Sequence, residues 1–254
     1  PSAKEMRIMA DDSVYNLAKL IGNALHHYGI NLNLAPVLDP PKDSKGKPSF
    51  IEVSNRSFGE FETAVPKIRA FVQGMKESKV LSTSKHFPGY DSWTNSDHQI
   101  AFSTSSKDVI LKNVELFKEF ADEIPVIMLS SVRFVRLSNT PAVFNPKITA
   151  MAREISPYTV LLTDDLWGVS LRAWISGTDK VKGKNYPSKD FKKLIRTVLL
   201  AGNDMFMITY PAKAVEMIAY LEWLGKKYPE YRLRLEQAAA RIIRLKYLSG
   251  IWKE

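Results

Sequence analysis

The chain has 254 residues, 45% hydrophobic and 25% charged, a globular composition long enough for one large α/β domain with a substantial core. No apolar run approaches the roughly 18–20 residues of a membrane-spanning helix, and the absence of cysteine excludes disulfide staples, thiol catalysis and cysteine metal sites. The net charge of +9 is scattered; its densest cluster, Lys180, Lys182, Lys184, Lys189, Lys192 and Lys193, lacks interleaved aromatics, which argues against a nucleic-acid partner.

In chain order, residues 1–12 are polar, with neither a start methionine nor a signal-peptide pattern, so the natural protein is expected to extend upstream. Helical periodicity over 14–28 places Leu17, Ile21, Ala24 and Leu25 on one face. A β-prone run at 30–37 leads into a loop at 39–49, marked by Pro40, Pro41, Gly46 and Pro48. A second helix over 60–75 lines up Val65, Ile68, Phe71, Val72 and Met75 before a strand at 80–87 and a polar loop at 89–105. Ser106 is a good cap for a helix over 106–120, with Val109, Ile110, Val114, Phe117 and Phe120 aligned. Strands follow at 125–129 and 159–163. A helix over 188–200, capped by Ser188, stops near Gly202. A last strand at 204–209, a helix over 212–224 and a long final helix through 242–248, ending at Gly250, complete the pattern. No internal repeat, low-complexity tract or linker divides residues 1–254, which read as a single domain.

Strands alternating with helices imply parallel pairing through right-handed crossovers, as a closed barrel or as an open doubly wound sheet. Four strand ends run straight into polar residues: Val37-Leu38 into Asp39, Ser84 into Lys85-His86, Leu129 into Ser130-Ser131, and Leu162-Thr163 into Asp164-Asp165. In parallel α/β folds ligand chemistry gathers at that edge, so the four ends suggest a shared cavity.

A carboxylate at a strand end is held rigidly, as a nucleophile requires; taken singly, Asp164-Asp165 reads first as a helix cap beside a solvated residue. Lys85-His86 could bind sugar hydroxyls or an anion, although adjacent strand residues point to opposite faces unless the chain bends, which Pro88-Gly89 encourages. In the polar loop 90–98, Asp97 beside His98 forms a pair suited to general acid/base work. Arg56 could clamp a carboxylate or a sugar oxygen, or form a surface salt bridge. His26 and His27 read as structural, no metal-ligand spacing is present among the four histidines, and there is no P-loop or dinucleotide glycine fingerprint.

Together these fragments resemble glycoside hydrolase family 3, within it the single-domain bacterial β-N-acetylglucosaminidases of cell-wall recycling. The resemblance is carried in order by residues 30–39, by Arg56-Ser57-Phe58-Gly59, by Lys85-His86-Phe87-Pro88-Gly89, by Leu162-Thr163-Asp164-Asp165-Leu166 and by Ala201-Gly202-Asn203-Asp204. It implies an α/β fold, a TIM-like (β/α) barrel whose first strand is missing from this chain, so that the single barrel domain is N-terminally incomplete. It implies a retaining hydrolase that removes terminal β-linked N-acetylglucosamine from peptidoglycan fragments, with carbohydrate as its partner, no nucleic acid or membrane, no metal or organic cofactor, and a cytoplasmic location. Asp164 would be the nucleophile and His98 the acid/base, positioned by Asp97; Arg56, Lys85 and His86 would hold the sugar and Asp39 would support the site floor. Three departures stand out. The loop reads Ser96-Asp97-His98 where the family has Asp-Ser-His, Tyr90 replaces a histidine, and no acidic glycine-rich first-strand segment precedes Pro36. A β-glucosidase of the same family and a catalytically degraded, glycan- or protein-binding barrel are the competing readings.

Overall fold

A computed structural model describes residues 1–178, 181 and 186–252; Lys180, Lys182 and Lys184 of the basic cluster lie outside them. The chain opens with α1 (Ala3–Met6), α2 (Asp11–His27), β1 (Leu32–Asn33), α3 (Phe50–Val53), α4 (Phe61–Glu77) and β2 (Leu81–Phe87). It continues through β3 (Phe102–Ser103), α5 (Lys107–Glu119), β4 (Val126–Leu129), β5 (Arg133–Phe134), a 3₁₀ turn (Ala142–Phe144) and α6 (Pro146–Ile155). Then come β6 (Val160–Asp165), α7 (Val169–Ser176), α8 (Ser188–Ala201), β7 (Met205–Met207), α9 (Pro211–Lys227) and α10 (Pro229–Leu248).

Five strands form one parallel sheet in the order β1-β2-β4-β6-β7. Each step in sequence is a step in the same direction across the sheet. A doubly wound sheet would reverse at a switch point; unidirectional order is that of a (β/α) barrel, here an open half-barrel. The five β-prone runs of the sequence are these five strands. The short β3 and β5 form a separate parallel pair.

Side-chain alternation assigns the faces. Val126, Met128, Val160 and Leu162 turn inward with Leu32, Leu34, Met205 and Met207, and α10 covers this face with Ile242 and Leu245. Ile127, Leu129 and Leu161 point the other way, into the main core beneath the helices. Lys85 is in register with Met128, and Met128 with Leu162, so Lys85 shares the inner face. Asp164, two residues beyond Leu162, lies on that face at the C-terminal edge.

The helices largely follow the sequence periodicity, with instructive differences. On α2 the buried seam is Val14, Ala18 and Gly22, while Leu17, Ile21 and Leu25 are half-buried and Ala24 is exposed. Close approach to α4 favours small residues there: a Cβ on Gly22 would lie 2.6 Å from Ser78 Cβ, and one on Gly74 would lie 2.6 Å from the Tyr15 carbonyl oxygen. The helix-capping residue before α8 is Pro187 rather than Ser188, whose hydroxyl donates to Glu216. Val109 on α5 is exposed. Gly74→Ala is therefore expected to destabilise the fold by about 1–3 kcal/mol through overpacking, since two of the atoms it meets are α2 backbone. A urea midpoint unchanged from wild type would show that the two helices separate freely.

Candidate active site

Three neighbouring strand ends and the loops after them converge on a cavity of about 200 Å³, lined by Arg56, Lys85, His86, Tyr90, Asp97, Asp164 and Asp165, with Leu34, Met128 and Met207 from the inner face. Its polar wall is charged in both senses, and its apolar side comes from the sheet.

Lys85 and His86 both reach this cavity because β2 does not continue regularly past Lys85. The register shifts between Lys85 and Phe87, so the alternation that would send the two side chains to opposite faces is broken there. Asp39 holds the displaced segment: its carboxylate accepts from His86 N–H at 2.8 Å and from Tyr90 N–H at 2.6 Å, and its other oxygen lies 2.6 Å from His86 Nδ1. Asp39 is buried beneath the site and is not among the lining residues. Burial, and then the positive charge of Arg56, lower the Lys85 ammonium to about 8, although Asp164 and Asp39 act to raise it. Arg56 enters from the turn after α3, where Asn55 takes a left-handed φ of 60°, a conformation asparagine tolerates.

The adjacent aspartates of β6 have different surroundings. Asp164, buried at the cavity wall, accepts from the Ser131 hydroxyl at 2.9 Å and from Asp165 N–H at 2.9 Å. Asp165 is committed elsewhere: it accepts from Trp167 N–H at 3.0 Å, Thr209 N–H at 3.0 Å and the Thr209 hydroxyl at 2.6 Å. It thereby ties the end of β6 to the chain leaving β7. Of the two, Asp164 has an oxygen held by a single hydroxyl and facing the charged groups of the cavity.

The loop after β2 is stapled by the residue that departs from the family pattern. The Tyr90 hydroxyl donates to the Thr94 carbonyl at 2.5 Å and accepts from Ser96 N–H at 2.8 Å, while its ring packs edge-on to His86 at 5.6 Å between centroids. Buried Asp91 accepts from the Ser103 hydroxyl at 2.9 Å and from that of Ser105, anchoring the loop to β3; burial raises its pKa despite these two serines. Asp97 lines the cavity, whereas His98 is exposed on the loop and is not a lining residue. Thus Arg56, Lys85, His86, Asp97 and Asp164 are brought together, Asp39 lies below them, and His98 stands apart. Sequence reasoning gave no role to Ser131, Thr209 or the Tyr90 staple; of these, only Ser131 carried a signal, as a polar residue at a strand end.

Lys85 makes a testable contribution to stability. Its folded-state pKa of about 8 lies below the ordinary 10.5, so the unfolded chain binds the extra proton between those values. Stability at this residue therefore rises with pH from about 8 to 10.5, by about 3 kcal/mol in all. Below pH 8 the whole desolvation cost is present. Urea unfolding of wild type and Lys85→Met should show Lys85→Met the more stable at pH 7, with the gap closing by pH 10.5. A pH-independent gap would contradict the burial of the ammonium.

Residues 2–245 match the family profile described as "Glycosyl hydrolase family 3 N terminal domain". The chain is 32% identical over 118 residues to a β-hexosaminidase of Glaesserella parasuis, covering 44% of this chain and 33% of that protein. It is 27% identical over 172 residues to a β-hexosaminidase of Pseudomonas aeruginosa, covering 63% of this chain and 50% of the relative. The chain thus spans a third to a half of the length of these curated relatives. The crystal structure of a β-N-acetylhexosaminidase from Beutenbergia cavernae superposes with a TM-score of 0.80 at 24% identity, covering 97% of this chain and 71% of that one, which shows a shared fold.

Proposed function

The chain belongs to glycoside hydrolase family 3, and on that premise we propose that it is a retaining glycosidase removing terminal β-linked N-acetylglucosamine from peptidoglycan fragments. One observation carries this reading: at the end of β6 a single carboxylate, Asp164, faces a charged cavity while its neighbour Asp165 is fully engaged in holding the strand. Retaining hydrolysis needs such a group, anionic and rigid, to attack the anomeric carbon.

The remaining residues have roles consistent with this chemistry. Arg56, Lys85 and His86 are donors suited to the hydroxyls and ring substituents of a terminal sugar, with Asp39 orienting the His86 ring. Ser131 orients the nucleophile. Neither step of the double displacement draws on a metal or an organic cofactor. The hexosamine preference, as opposed to glucose, is supported by the names of the curated relatives, and assignment to cytoplasmic wall recycling rests on the family resemblance. No helix among the described residues is long and apolar enough to cross a membrane.

The test is hydrolysis of chromogenic β-N-acetylglucosaminide and β-glucoside reporters, followed by the stereochemistry of the released sugar. Turnover of the N-acetylglucosaminide with a β-product emerging first supports the reading. Preference for the glucoside would move the chain to the family's glucosidases, and inertness on both would favour a barrel that binds glycan without cleaving it.

A further inference from the structure

Arg56 reaches the cavity without a tether on its side chain: among the described residues no hydrogen bond or ion pair holds its guanidinium. Its position is therefore set by the backbone that carries it. That backbone leaves α3 in a turn closed by Arg56 N–H on the Ile51 carbonyl at 2.9 Å. The carbonyls of the residues on either side of Arg56 are held from α1 and its end. Asn55 accepts from Lys4 N–H at 3.2 Å, and Ser57 accepts from Arg7 Nη2 at 2.8 Å.

The polar start of the chain is built for this contact. Ser2 and Glu5 form a capping box that closes the single turn of α1, and Arg7 is the residue at its C-terminal end. The same Arg7 Nη2 donates to Glu52 Oε2 on α3 at 2.7 Å, and Lys4 Nζ lies 3.2 Å from the other Glu52 oxygen. Burial raises the pKa of Glu52, but the bonds from Arg7 and Lys4 outweigh it and hold the carboxyl below its ordinary value. Gly59, at φ 104°, leaves room for the side chain, since a Cβ there would stand 3.1 Å from Arg7 Nε and 3.2 Å from Arg7 Cδ. Buried Ser57 carries the link inward: its hydroxyl donates to the Asp39 carbonyl at 3.4 Å, and the Asp39 carboxylate holds His86.

We propose that Arg7 is a positioning residue for substrate binding, which fixes the turn that presents the Arg56 guanidinium to the cavity. The assignment rests on the reading of this cavity as a glycosidase site. An exposed ion pair would do little here. Arg7 instead bonds a half-buried carboxylate and a backbone carbonyl through one charged nitrogen, which joins α3 to the residue after Arg56. A donor held in place before the sugar arrives loses less freedom on binding. Removal of the brace is therefore expected to appear in KM.

Arg7→Met, Arg56→Met, the double variant and Arg7→Lys, assayed on a chromogenic β-N-acetylglucosaminide and normalised to folded protein, test the proposal. Arg56→Met should raise KM on the order of 10–100-fold, the scale of one charge-assisted hydrogen bond. Arg7→Met should raise KM about tenfold, with kcat within about threefold of wild type. The double variant should match Arg56→Met alone, because Arg7 acts only through Arg56. Arg7→Lys, whose ammonium can donate to both oxygens, should return KM to within about threefold of wild type. Glu52→Gln keeps the shape of the brace and removes its charge; it should raise KM in the same direction, and it serves where Arg7→Met does not fold. Lys67→Met cuts a different tie of the same segment, to the Met9 carbonyl and Asp11, and should leave KM unchanged. Additive losses in the double variant, or an unchanged KM in Arg7→Met, overturn the proposal. The Lys85 ammonium gives a readout that needs no turnover. After burial, the Arg56 charge is what lowers its pKa to about 8. An NMR titration of Lys85 should therefore show a higher pKa in Arg56→Met and in Arg7→Met, and no change in Lys67→Met. An unchanged value in Arg7→Met overturns the proposal as well. A wild-type protein inert on every glycoside overturns the glycosidase reading, and the titration then decides by itself whether Arg7 positions Arg56.

Discussion

Replacing Asp164 by asparagine is expected to lower kcat on a β-N-acetylglucosaminide by on the order of 10⁴-fold or more, the scale seen when an enzyme loses its nucleophile. Asparagine fills the same space; its oxygen can still accept from Asp165 N–H while its amide N–H donates to the Ser131 hydroxyl, so the fold and the proposed sugar-binding groups Arg56, Lys85 and His86 remain. KM should therefore change little. What disappears is the anionic oxygen that forms the glycosyl-enzyme bond.

The informative control is one residue away. Asp165→Asn can keep the oxygen that receives Trp167 N–H and Thr209 N–H, but it replaces the anionic oxygen that accepts from the Thr209 hydroxyl with an amide donor and removes the charge from all three bonds. The expected result is a loss of about 1–3 kcal/mol in stability, read as a lower urea midpoint, with kcat in the folded protein within about tenfold of wild type. Equal losses of kcat for both variants, at equal folded fraction, would remove the distinction between a reacting and a structural aspartate on which the nucleophile assignment stands.

The pair shows how far the sequence could be read. Strand ends were legible because a run such as 159–163 followed by acids carries both the β-propensity and the polarity change of a sheet edge, and all five major strands followed from that pattern. That Asp165 is tied to Thr209, 44 residues along the chain, while Asp164 is not, is a contact no local pattern encodes. The openness of the sheet direction, barrel or doubly wound, likewise needed the strand order. Helices with broad apolar stripes, such as α4 and α5, were visible. Helix α6 was not, although Asn145-Pro146 is a start signal and the Asn145 side chain does accept from Lys147 N–H; its ten residues are too few for the periodicity to stand out. In the loop 90–98 the residue types suggested an acid/base pair, but only the folded loop shows that Asp97 lines the cavity and His98 does not.

The other end of β6 carries the largest expected effect on stability. Asp204, at the entrance to β7, has a fully buried side chain and meets three guanidinium groups: Arg153 at 2.7 Å, Arg234 at 2.9 Å and Arg241 at 3.3 Å. It also accepts from Leu161 N–H at 3.0 Å, while Asp204 N–H donates to the Leu161 carbonyl at 2.8 Å. One carboxylate thus joins α6, β6, β7 and α10. Asp204→Asn keeps the shape and one acceptor oxygen but leaves three half-buried cations facing one another with no negative charge between them. Breaking a buried ion pair in this way costs about 3–5 kcal/mol, a large part of the roughly 5–15 kcal/mol that holds a domain together. Urea unfolding of the purified variant should show a midpoint lowered accordingly. Asp164 lies three residues farther along the strand, roughly 10 Å at about 3.3 Å per residue. For the fraction that remains folded, kcat should therefore stay within about tenfold of wild type. A shift below about 1 kcal/mol would mean that the cluster behaves as a solvent-screened surface network. A collapse of kcat in folded protein would mean instead that the β6–β7 staple at Asp204 and the one at Asp165 act as a single unit in holding Asp164.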